Sequence, residues 1–501
     1  MQIPFGPWRP DPYLIDSQFS AEAKNVLPSS AGWKPFPALA SITDAVGSDV
    51  RGAFKARTSD GATAIFCGTA TKLFKLNGTT WDEVTRLLGG GPSFENYNLP
   101  ADNYWSFAQQ DNILYAVQAG DVPQFIDVDG GANFAPVAGP PPTARYVKAV
   151  GNFLFLLDLT SNLGVASTGR IQAAWSGMRD FDFWTYGEKS SDFATFFSGG
   201  HVMGMTSKQT GLLIQESAVN RFQRVNDRRT WVFEKVEAAQ GTRSPHSIIE
   251  HQGTAYYYGT DGFVASSPGA FTNEAGVEWV DEWFKENVNI ARIKTVIGAL
   301  DPTRPRFFWL FPSAGNDSYV LDRIIGFDPP TQQWFHADLD ASFVFDAATT
   351  ATTLEGLGSA PFNYTLETMP ISLDSDIWKG GAPRLGGFTS DQKLGFFTGS
   401  ALAATLRTGS VQLVPGRRAF VNGFRPTTDA LNVHGRAAVA ERSQDSVLWG
   451  SQSSLTAEGL IPMRASGRYH QFECSIPANE LWNDIRNIGL TADDLKQHGT
   501  Q

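Results

Sequence analysis

A short unit of strand, turn and strand recurs along most of the 501 residues. Its first copy is "GATAIFCGTATKLFKLNGTTWDEVT", where glycine separates apolar runs at Ala64–Cys67 and Lys72–Leu76 and Asn77-Gly78 follows. An Asn-Gly pair between alternating runs is the strongest short signal for a β-hairpin. The next copy has a strand predicted at Ile113–Val117. Successive copies lie roughly 40 to 60 residues apart, which is the spacing of propeller blades.

A meander of this kind leaves two unpaired edges and buries little surface on its own. Packing several of them radially covers their faces, so we predict an all-β chain built as a β-propeller of antiparallel blades. The composition agrees, because the 36 Phe and 14 Trp suit pleated sheets and the 49 Gly suit turns. More than about a third of the residues should lie in strands. A pair of stacked β-sandwiches is the alternative.

Changes in this rhythm predict four parts of the chain. Residues 1–45 form an extended N-terminal anchoring segment, 46–400 the blades, 401–480 an extra C-terminal β subdomain, and 481–501 a C-terminal tail. Pro28, Pro35 and Pro37 remove backbone donors in the first part, which predicts that no regular ladder runs through it. Apolar anchors should instead lie along the propeller or an adjacent subunit; these anchors are Val26, Leu27, Trp33, Phe36 and Leu39.

Three further stretches carry structural predictions. "GVEWVDEWFKENVN" (Gly276–Asn289) predicts a short amphipathic helix, and "NELWNDIRNIGLTADDLKQ" predicts another near the end. "PRLGGFTSDQKLGFFTG" predicts a weak seventh unit, closed by Gly399. The stretch between Ser342 and Tyr364 is a candidate for a degenerate blade.

The charge balance argues against tight binding to nucleic acid. The chain has 40 Lys and Arg against 51 Asp and Glu, a net charge of −11. Affinity for phosphate comes from clustered Lys and Arg. The basic clusters are "NDRRTW" and "PGRR", so the candidate DNA contacts are Arg228, Arg229, Arg417 and Arg418.

The sequence carries no convincing catalytic or metal motif. Asp180 and Asp182 would share one face of a strand, as an acid-base pair requires, but acids in a turn explain them equally well. His246 and His251 lack metal spacing and an acidic partner. No nucleophile elbow or phosphate loop appears. We therefore expect no enzyme activity, no metal and no cofactor.

Cysteines and apolar runs add little. Cys67 and Cys474 are read as small buried residues rather than as a disulfide. "MQIPFGPWRP" lacks the pattern of a signal peptide, and "VKAVGNFLFLLDL" is too short and polar to cross a bilayer. We expect no membrane anchor.

Several stretches, in order along the chain, resemble one family of short-tailed phage proteins, called tail nozzle, tail tubular or packaged-DNA stabilisation proteins. "SAEAKNVLPSSAGWKPFPAL" resembles its N-terminal segment, and "GTATKLFKLNGTTWDEVT" its first blade. "RIQAAWSGMRDFDFW" resembles its strand, aspartate and tryptophan unit. "LRTGSVQLVPGRRAFVNGFRPTTDA" and "SGRYHQFECSIPANELW" resemble its C-terminal part, whereas the final residues are longer and more polar than usual.

This resemblance implies a structural protein of the virion tail, assembled in the host cytoplasm. It would form a ring, usually of six copies, below the portal and a tail adaptor, with tail fibres or a needle as further partners. Double-stranded DNA would be retained by the ring and would pass through it during ejection. The competing class is a carbohydrate-binding or glycan-cleaving propeller, in which aromatic residues such as those at Tyr256–Tyr258 would stack on sugars.

Overall fold

Strands dominate the computed structural model. It describes residues 1–10, 18–164, 166–227, 229–238, 240–276, 279–318, 320–349, 365, 367–368, 381–443, 445–491 and 495–498. Strands hold 51% of the chain, which confirms the predicted all-β class. The N-terminal strands are β1 (Gln2–Pro4), β2 (Ser20–Lys24), β3 (Val26–Ser29), β4 (Gly32–Pro35) and β5 (Pro37–Ala45).

Five separate four-stranded antiparallel sheets follow, each a simple meander. Blade 1 contains β6 (Ala53–Arg57), β7 (Thr63–Gly68), β8 (Leu73–Asn77) and β9 (Thr80–Glu83). Blade 2 contains β10 (Ser106–Gln110), β11 (Ile113–Val117), β12 (Gln124–Asp127) and β13 (Ala135–Pro136). Blade 3 contains β14 (Ala144–Val150), β15 (Phe153–Leu159), β16 (Gln172–Trp175) and β17 (Asp192–Thr195). Blade 4 contains β18 (Val202–Met205), β19 (Thr210–Gln215), β20 (Ala218–Arg224) and β21 (Trp231–Ala238), and blade 5 contains β22 (Ile249–His251), β23 (Thr254–Tyr258), β24 (Phe263–Ser267) and β25 (Ala270–Glu274).

Blades 6 and 7 share one long strand. Blade 6 contains β26 (Ile297–Asp301), β27 (Arg306–Phe311), β28 (Leu321–Asp328) and the first half of β29 (Gln333–Ala348). The second half of β29 pairs with β30 (Pro383–Thr389), which pairs with β31 (Lys393–Ala401). The fourth strand of blade 7 is β5, so the N-terminal segment completes the last blade. The stretch proposed as a degenerate blade begins inside β29, and residues 350–364 lie outside the described part.

Contacts between blades 7 and 1 close the ring. The Lys55 ammonium lies 2.6 Å from the Asp346 carboxylate, near the centre. Farther out, the Asp44 amide donates to the Thr79 carbonyl at 2.8 Å and the Trp81 indole donates to the Asp44 carbonyl at 3.1 Å. The ring therefore closes through the strand that begins the chain.

Each pair of adjacent blades among the first five has its own apolar layer between the two sheets. The layer between blades 1 and 2 includes Phe66 and Leu114, and that between blades 3 and 4 includes Phe155 and Leu213. Such radial packing buries both faces of every sheet and leaves only short edges, as expected for a β-propeller.

The N-terminal segment contradicts the prediction that no regular ladder runs through it. β3 and β4 form a hairpin in which Pro28 faces Trp33 and Pro35 faces Val26. In an antiparallel ladder, pairs that exchange two backbone hydrogen bonds alternate with pairs that exchange none. Both prolines occupy pairs that exchange none, so neither needs a backbone donor there. Proline therefore does not interrupt this hairpin, and the segment runs along its own chain.

Asn25 joins the N-terminal segment to two other parts of the chain. The backbone amide of Asn25 donates to the His336 carbonyl at 2.9 Å, and the backbone amide of Asp338 donates to the side-chain oxygen of Asn25 at 2.8 Å. Its side-chain nitrogen donates to the Ala403 carbonyl at 2.7 Å. Asn25 has a φ of 58°, a conformation that asparagine tolerates better than most residues. One buried side chain thus connects blade 6 with the strands that follow blade 7.

β2 contains a second, ionic connection. The Glu22 carboxylate contacts the His336 ring, and Lys24 lies 2.5 Å from Asp338. Burial alone would raise the pKa of Glu22, but His336, Arg407 and Lys24 outweigh it and lower that pKa. Glu22 is therefore ionised at neutral pH, where it binds the edge of blade 6.

Residues after blade 7 form a two-layer domain that we call the C-terminal sandwich. Its own strands are β32 (Ala404–Thr408), β33 (Arg418–Thr428), β34 (His434–Ala440), β35 (Leu448–Trp449), β36 (Ser453–Ser454), β37 (Ile461–Gly467), β38 (Tyr469–Ile476), β39 (Ile485–Gly489) and β40 (Leu495–His498). One layer extends blade 6 in the order β29, β2, β32, β38, β34, β35. The other layer has the order β3, β4, β39, β33, β37, with β1 paired to β39 and β40 to β33.

One of the two predicted helices forms and the other does not. Helix α1 (Asp281–Asn287) lies within the predicted stretch, and Trp283 packs on Trp8 with ring centroids 4.9 Å apart. The predicted second helix is wrong, because Ile485 and Ile488 are buried in β39 between N-terminal strands and β33. Pairing with these distant strands overrides the local pattern. Short 3-10 segments cover Leu88–Gly90, Gly169–Ile171, Pro245–Ser247 and Ile290–Thr295.

A single core connects the N-terminal segment, blades 5 to 7 and the C-terminal sandwich. It includes Trp33 from β4, Trp334 from β29 and Phe472 from β38, all at most 1% exposed. Within the described ranges, no helix has the length and apolar character needed to cross a membrane.

Candidate functional site

The predicted carboxylate pair lies in turns rather than on a strand. β16 ends at Trp175, and Asp180 closes a tight turn in which its amide donates to the Gly177 carbonyl at 3.3 Å. The Asp180 carboxylate accepts from Lys189 at 2.8 Å, while Asp182 is exposed. Strand alternation therefore does not place the two carboxylates on one face, and the arrangement is that of a turn.

The basic pair in "NDRRTW" does not form a clamp in the part that is described. Arg228 lies outside the described residues. Arg229 donates to the Asp227 carboxylate at 2.7 and 3.0 Å, and both side chains are largely exposed. This ion pair closes the tip of the β20–β21 hairpin on itself, so most of the charge of Arg229 is locally compensated.

The two candidate histidines lie in different surroundings. His246 packs edge-on against Tyr104 and Tyr146, with ring centroids 5.0 and 5.7 Å apart, and burial lowers its pKa to about 4. His251 packs against Phe307 at 5.7 Å. Among the described residues no group of three or more His, Cys, Asp or Glu side chains could hold a metal ion.

A central cavity of about 600 Å³ marks the propeller axis. Inner strands of several blades line it, including Phe54 of blade 1, Lys148 of blade 3, Glu250 of blade 5 and Phe345 of blade 7. Burial lowers the pKa of Lys148, and Glu250 opposes that shift. The lining mixes apolar and oppositely charged side chains, which does not favour one class of ligand.

The tyrosines considered for sugar stacking belong to the core. They occupy β23, where Tyr257 is fully buried and its hydroxyl donates to the Gln240 carbonyl at 2.8 Å. Tyr256 packs on Phe307, with ring centroids 4.3 Å apart. None of the three stands on a loop tip.

Arg417 and Arg418 lie at one end of the C-terminal sandwich, beside a cleft of about 260 Å³. Arg418 forms an exposed ion pair with Glu441 at 2.8 Å. Arg417 lines the cleft together with Arg442 and Arg468, and we call these three residues the arginine cluster. Among the described residues, no carboxylate lies within ion-pair distance of any guanidinium of the arginine cluster.

Strand pairing brings the arginine cluster together. Arg417 ends the loop before β33, Arg442 follows the end of β34, and Arg468 forms the turn between β37 and β38. The Arg468 amide donates to the Ala440 carbonyl at 3.2 Å, which fixes that turn beside the end of β34. Sequence analysis missed Arg442 and Arg468 because each is a single arginine in its own stretch.

Chemically, the arginine cluster can bind an anionic group. A guanidinium presents several donors in one plane and pairs with carboxylate or phosphate oxygens through two parallel hydrogen bonds. Glu441 also lines the cleft but pairs with Arg418, and among the described residues no carboxylate pairs with the three guanidiniums, so their donors are available. The geometry alone admits both a protein carboxylate and a phosphate.

No family model and no curated protein matches the chain. A chain of the "Crystal Structure of Mitotic Checkpoint Complex" is 9% identical, with a TM-score of 0.34 over 76% of this chain and 93% of that chain. The structure "YCF48 bound to D1 peptide" is 13% identical, with a TM-score of 0.28 over 74% of this chain and 95% of that chain. The assignment as a β-propeller rests on the seven blades around one cavity, and neither comparison assigns a function.

Proposed function

We propose that this chain is a structural protein of a short-tailed phage tail, which forms a ring through which genome DNA is retained and then ejected. It would assemble in the host cytoplasm, bind further copies of itself, and contact a tail adaptor on one side and fibres or a needle on the other. We infer a non-enzymatic role without cofactors.

The order of the resembling stretches carries this proposal. The stretch containing "NVLP" spans β2 to β5, and the first-blade stretch spans β8 and β9. The later stretches cover β32 to β33 and β38. The resemblance therefore extends over the N-terminal segment, the propeller and the C-terminal sandwich in the same order as in the family.

The way these parts are joined suits a load-bearing ring. The N-terminal segment supplies β5 to blade 7 and β2 to the junction between blade 6 and the C-terminal sandwich. A domain attached only through a flexible linker would move independently, whereas shared strands must unpair before it can move. Such joints favour a protein that transmits force and disfavour one that opens and closes around a substrate.

Duplex DNA should bind the purified protein weakly, even at low salt. Three features support this expectation: the net charge of −11, the Arg229–Asp227 pair and the Arg418–Glu441 pair. A gel-shift titration at two salt concentrations measures it. A neutral or acidic wall lets phosphates stay hydrated, whereas a basic wall releases counterions and gives steeply salt-dependent binding.

Tight, steeply salt-dependent binding would contradict a passive conduit. It would indicate a protein that clamps DNA, and the first variants to make would replace the four candidate contacts with alanine: Arg228, Arg229, Arg417 and Arg418. Arg57→Ala, on the inner strand of blade 1, is the matched control for loss of one exposed arginine.

A further inference from the structure

The C-terminal sandwich has two chemically different ends. β33 runs from Arg418 to Thr428, and its 11 residues span roughly 30 Å at the usual rise of a strand. The arginine cluster lies at the end where β33 begins. The other end is formed by two loops, residues 429–433 after β33 and residues 477–484 after β38.

Two leucines project from the second end into solvent. Leu431 is 82% exposed and Leu481 is 90% exposed, the largest values for large apolar side chains in the described residues. Single exposed leucines are common on protein surfaces. Here the two loops lie side by side, because the Leu431 amide donates to the Glu480 carboxylate at 3.0 Å.

Hydrogen bonds to carboxylates hold this leucine pair in place. Asp429 accepts from the Asn483 amide at 2.8 Å and from the Asn483 side chain at 2.7 Å. Glu480 accepts from the Asn432 amide at 3.1 Å and from its side chain at 2.7 Å. Loops that are already ordered lose little entropy on binding, which favours their use as a contact.

The two ends are complementary in charge. Asp429 is exposed and Glu480 is half-buried, and hydrogen bonds outweigh burial and lower the pKa of each, so both carry a negative charge. At the opposite end, the three positive charges of the arginine cluster outnumber the two negative charges of the nearby Glu441 and Asp445. Leu448, which is 71% exposed, pairs with Val439 near that end and offers an apolar surface beside the arginines.

We propose that the leucine end of one copy docks on the arginine end of the next copy. Asp429 and Glu480 would face the arginine cluster, and Leu431 and Leu481 would pack near Leu448. The contact joins two different surfaces of identical chains, and such head-to-tail contacts repeat from copy to copy and close into a ring when the rotation permits. This inference rests on the proposed function and names the surfaces that would build its ring.

Two variants with opposite defects test the contact. The first carries Arg417→Glu, Arg442→Glu and Arg468→Glu, and the second carries Leu431→Asp and Leu481→Asp. We expect each to lower self-association at least about 100-fold, because charges of one sign then meet or the apolar contact is lost. Mass measurement over a concentration series gives the dissociation constant, and circular dichroism confirms folding.

Mixing the two variants gives the decisive result. Each retains one intact end, so an equal mixture should form a dimer of one copy of each and stop there. A variant with Arg229→Glu and Phe197→Asp should assemble like the unaltered protein, because it changes an exposed arginine on blade 4 and an exposed phenylalanine in the connection between blades 3 and 4.

Other outcomes overturn the inference in distinguishable ways. If the unaltered protein forms a ring and the arginine variant does too, the proposed function survives and this contact is wrong. The contact is also wrong if only the leucine variant fails, since the leucine ends would then bind each other. If the arginine variant assembles but loses DNA binding at low salt, the arginine cluster serves nucleic acid. A protein that stays monomeric at every concentration contradicts both the contact and the ring.

Discussion

Replacing Asn25 with alanine is expected to lower the free energy of unfolding by about 2–5 kcal/mol. The change removes the hydrogen bonds to the Asp338 amide and the Ala403 carbonyl, which are only partly buried and contribute about 0.5–1.5 kcal/mol each. It also forces alanine into a left-handed conformation, which costs about 1–2 kcal/mol. Total stabilities are about 5–15 kcal/mol, so the loss is a large fraction. Denaturant titration followed by tryptophan fluorescence measures it.

A second substitution separates the two contributions to this loss. Asn25→Gly accepts the left-handed conformation but still removes the side-chain hydrogen bonds, so it should be less destabilising than Asn25→Ala. Asn77→Ala is the matched control, because Asn77 is exposed and, among the described residues, its side chain bonds only to Asp82 within blade 1. Equal, small effects of Asn25→Ala and Asn77→Ala would show that the N-terminal segment does not join blade 6 to the C-terminal sandwich.

Replacing Glu473 with alanine should destabilise the C-terminal sandwich by about 3 kcal/mol. Its carboxylate accepts from Arg407 at 2.8 Å and from Arg436 at 2.6 Å, and both guanidiniums lie over the Trp449 ring at 4.8 and 4.5 Å. Removing one member of a buried charge network leaves the others unpaired. Each arginine side chain keeps about a third of its surface exposed. The expected loss therefore lies at the lower end of the about 3–5 kcal/mol that breaking a buried ion pair costs.

Glu234→Ala is the control for this prediction. Glu234 pairs with Arg221 on the surface of blade 4, and exposed ion pairs contribute about 0–1 kcal/mol. Thermal unfolding of the two variants compares them directly. A loss on Glu473→Ala no larger than the loss on Glu234→Ala would mean that the network between β32, β34 and β38 is dispensable.

Local sequence signals predicted the blades because each blade is built from neighbouring segments. The strand predicted at Ile113–Val117 matches β11 residue for residue, and Gly78 opens the loop after β8 with a φ of 63°. The N-terminal pairing could not be predicted in this way. β2 pairs with β29 and β32, which come hundreds of residues later, so no local pattern specifies these partners.

The misassigned helix near the end has the same physical origin. Ile485 and Ile488 are spaced like one face of a helix, yet their burial comes from β1, β4 and β33. The arginine cluster was only partly found for a related reason. "PGRR" is visible as a local cluster, but Arg442 and Arg468 join Arg417 only after β34 and β38 pair.

The oligomeric state of the purified, unaltered protein tests the central proposal most directly. Mass measurement combined with electron-microscope images is the experiment. The account predicts one closed ring with an open axial hole, with a mass that is a whole multiple of 54.6 kDa and six copies as the expected number. A monomer, or a trimer with an acidic cleft of the size of a sugar, would contradict it and favour a protein that binds or cleaves glycans.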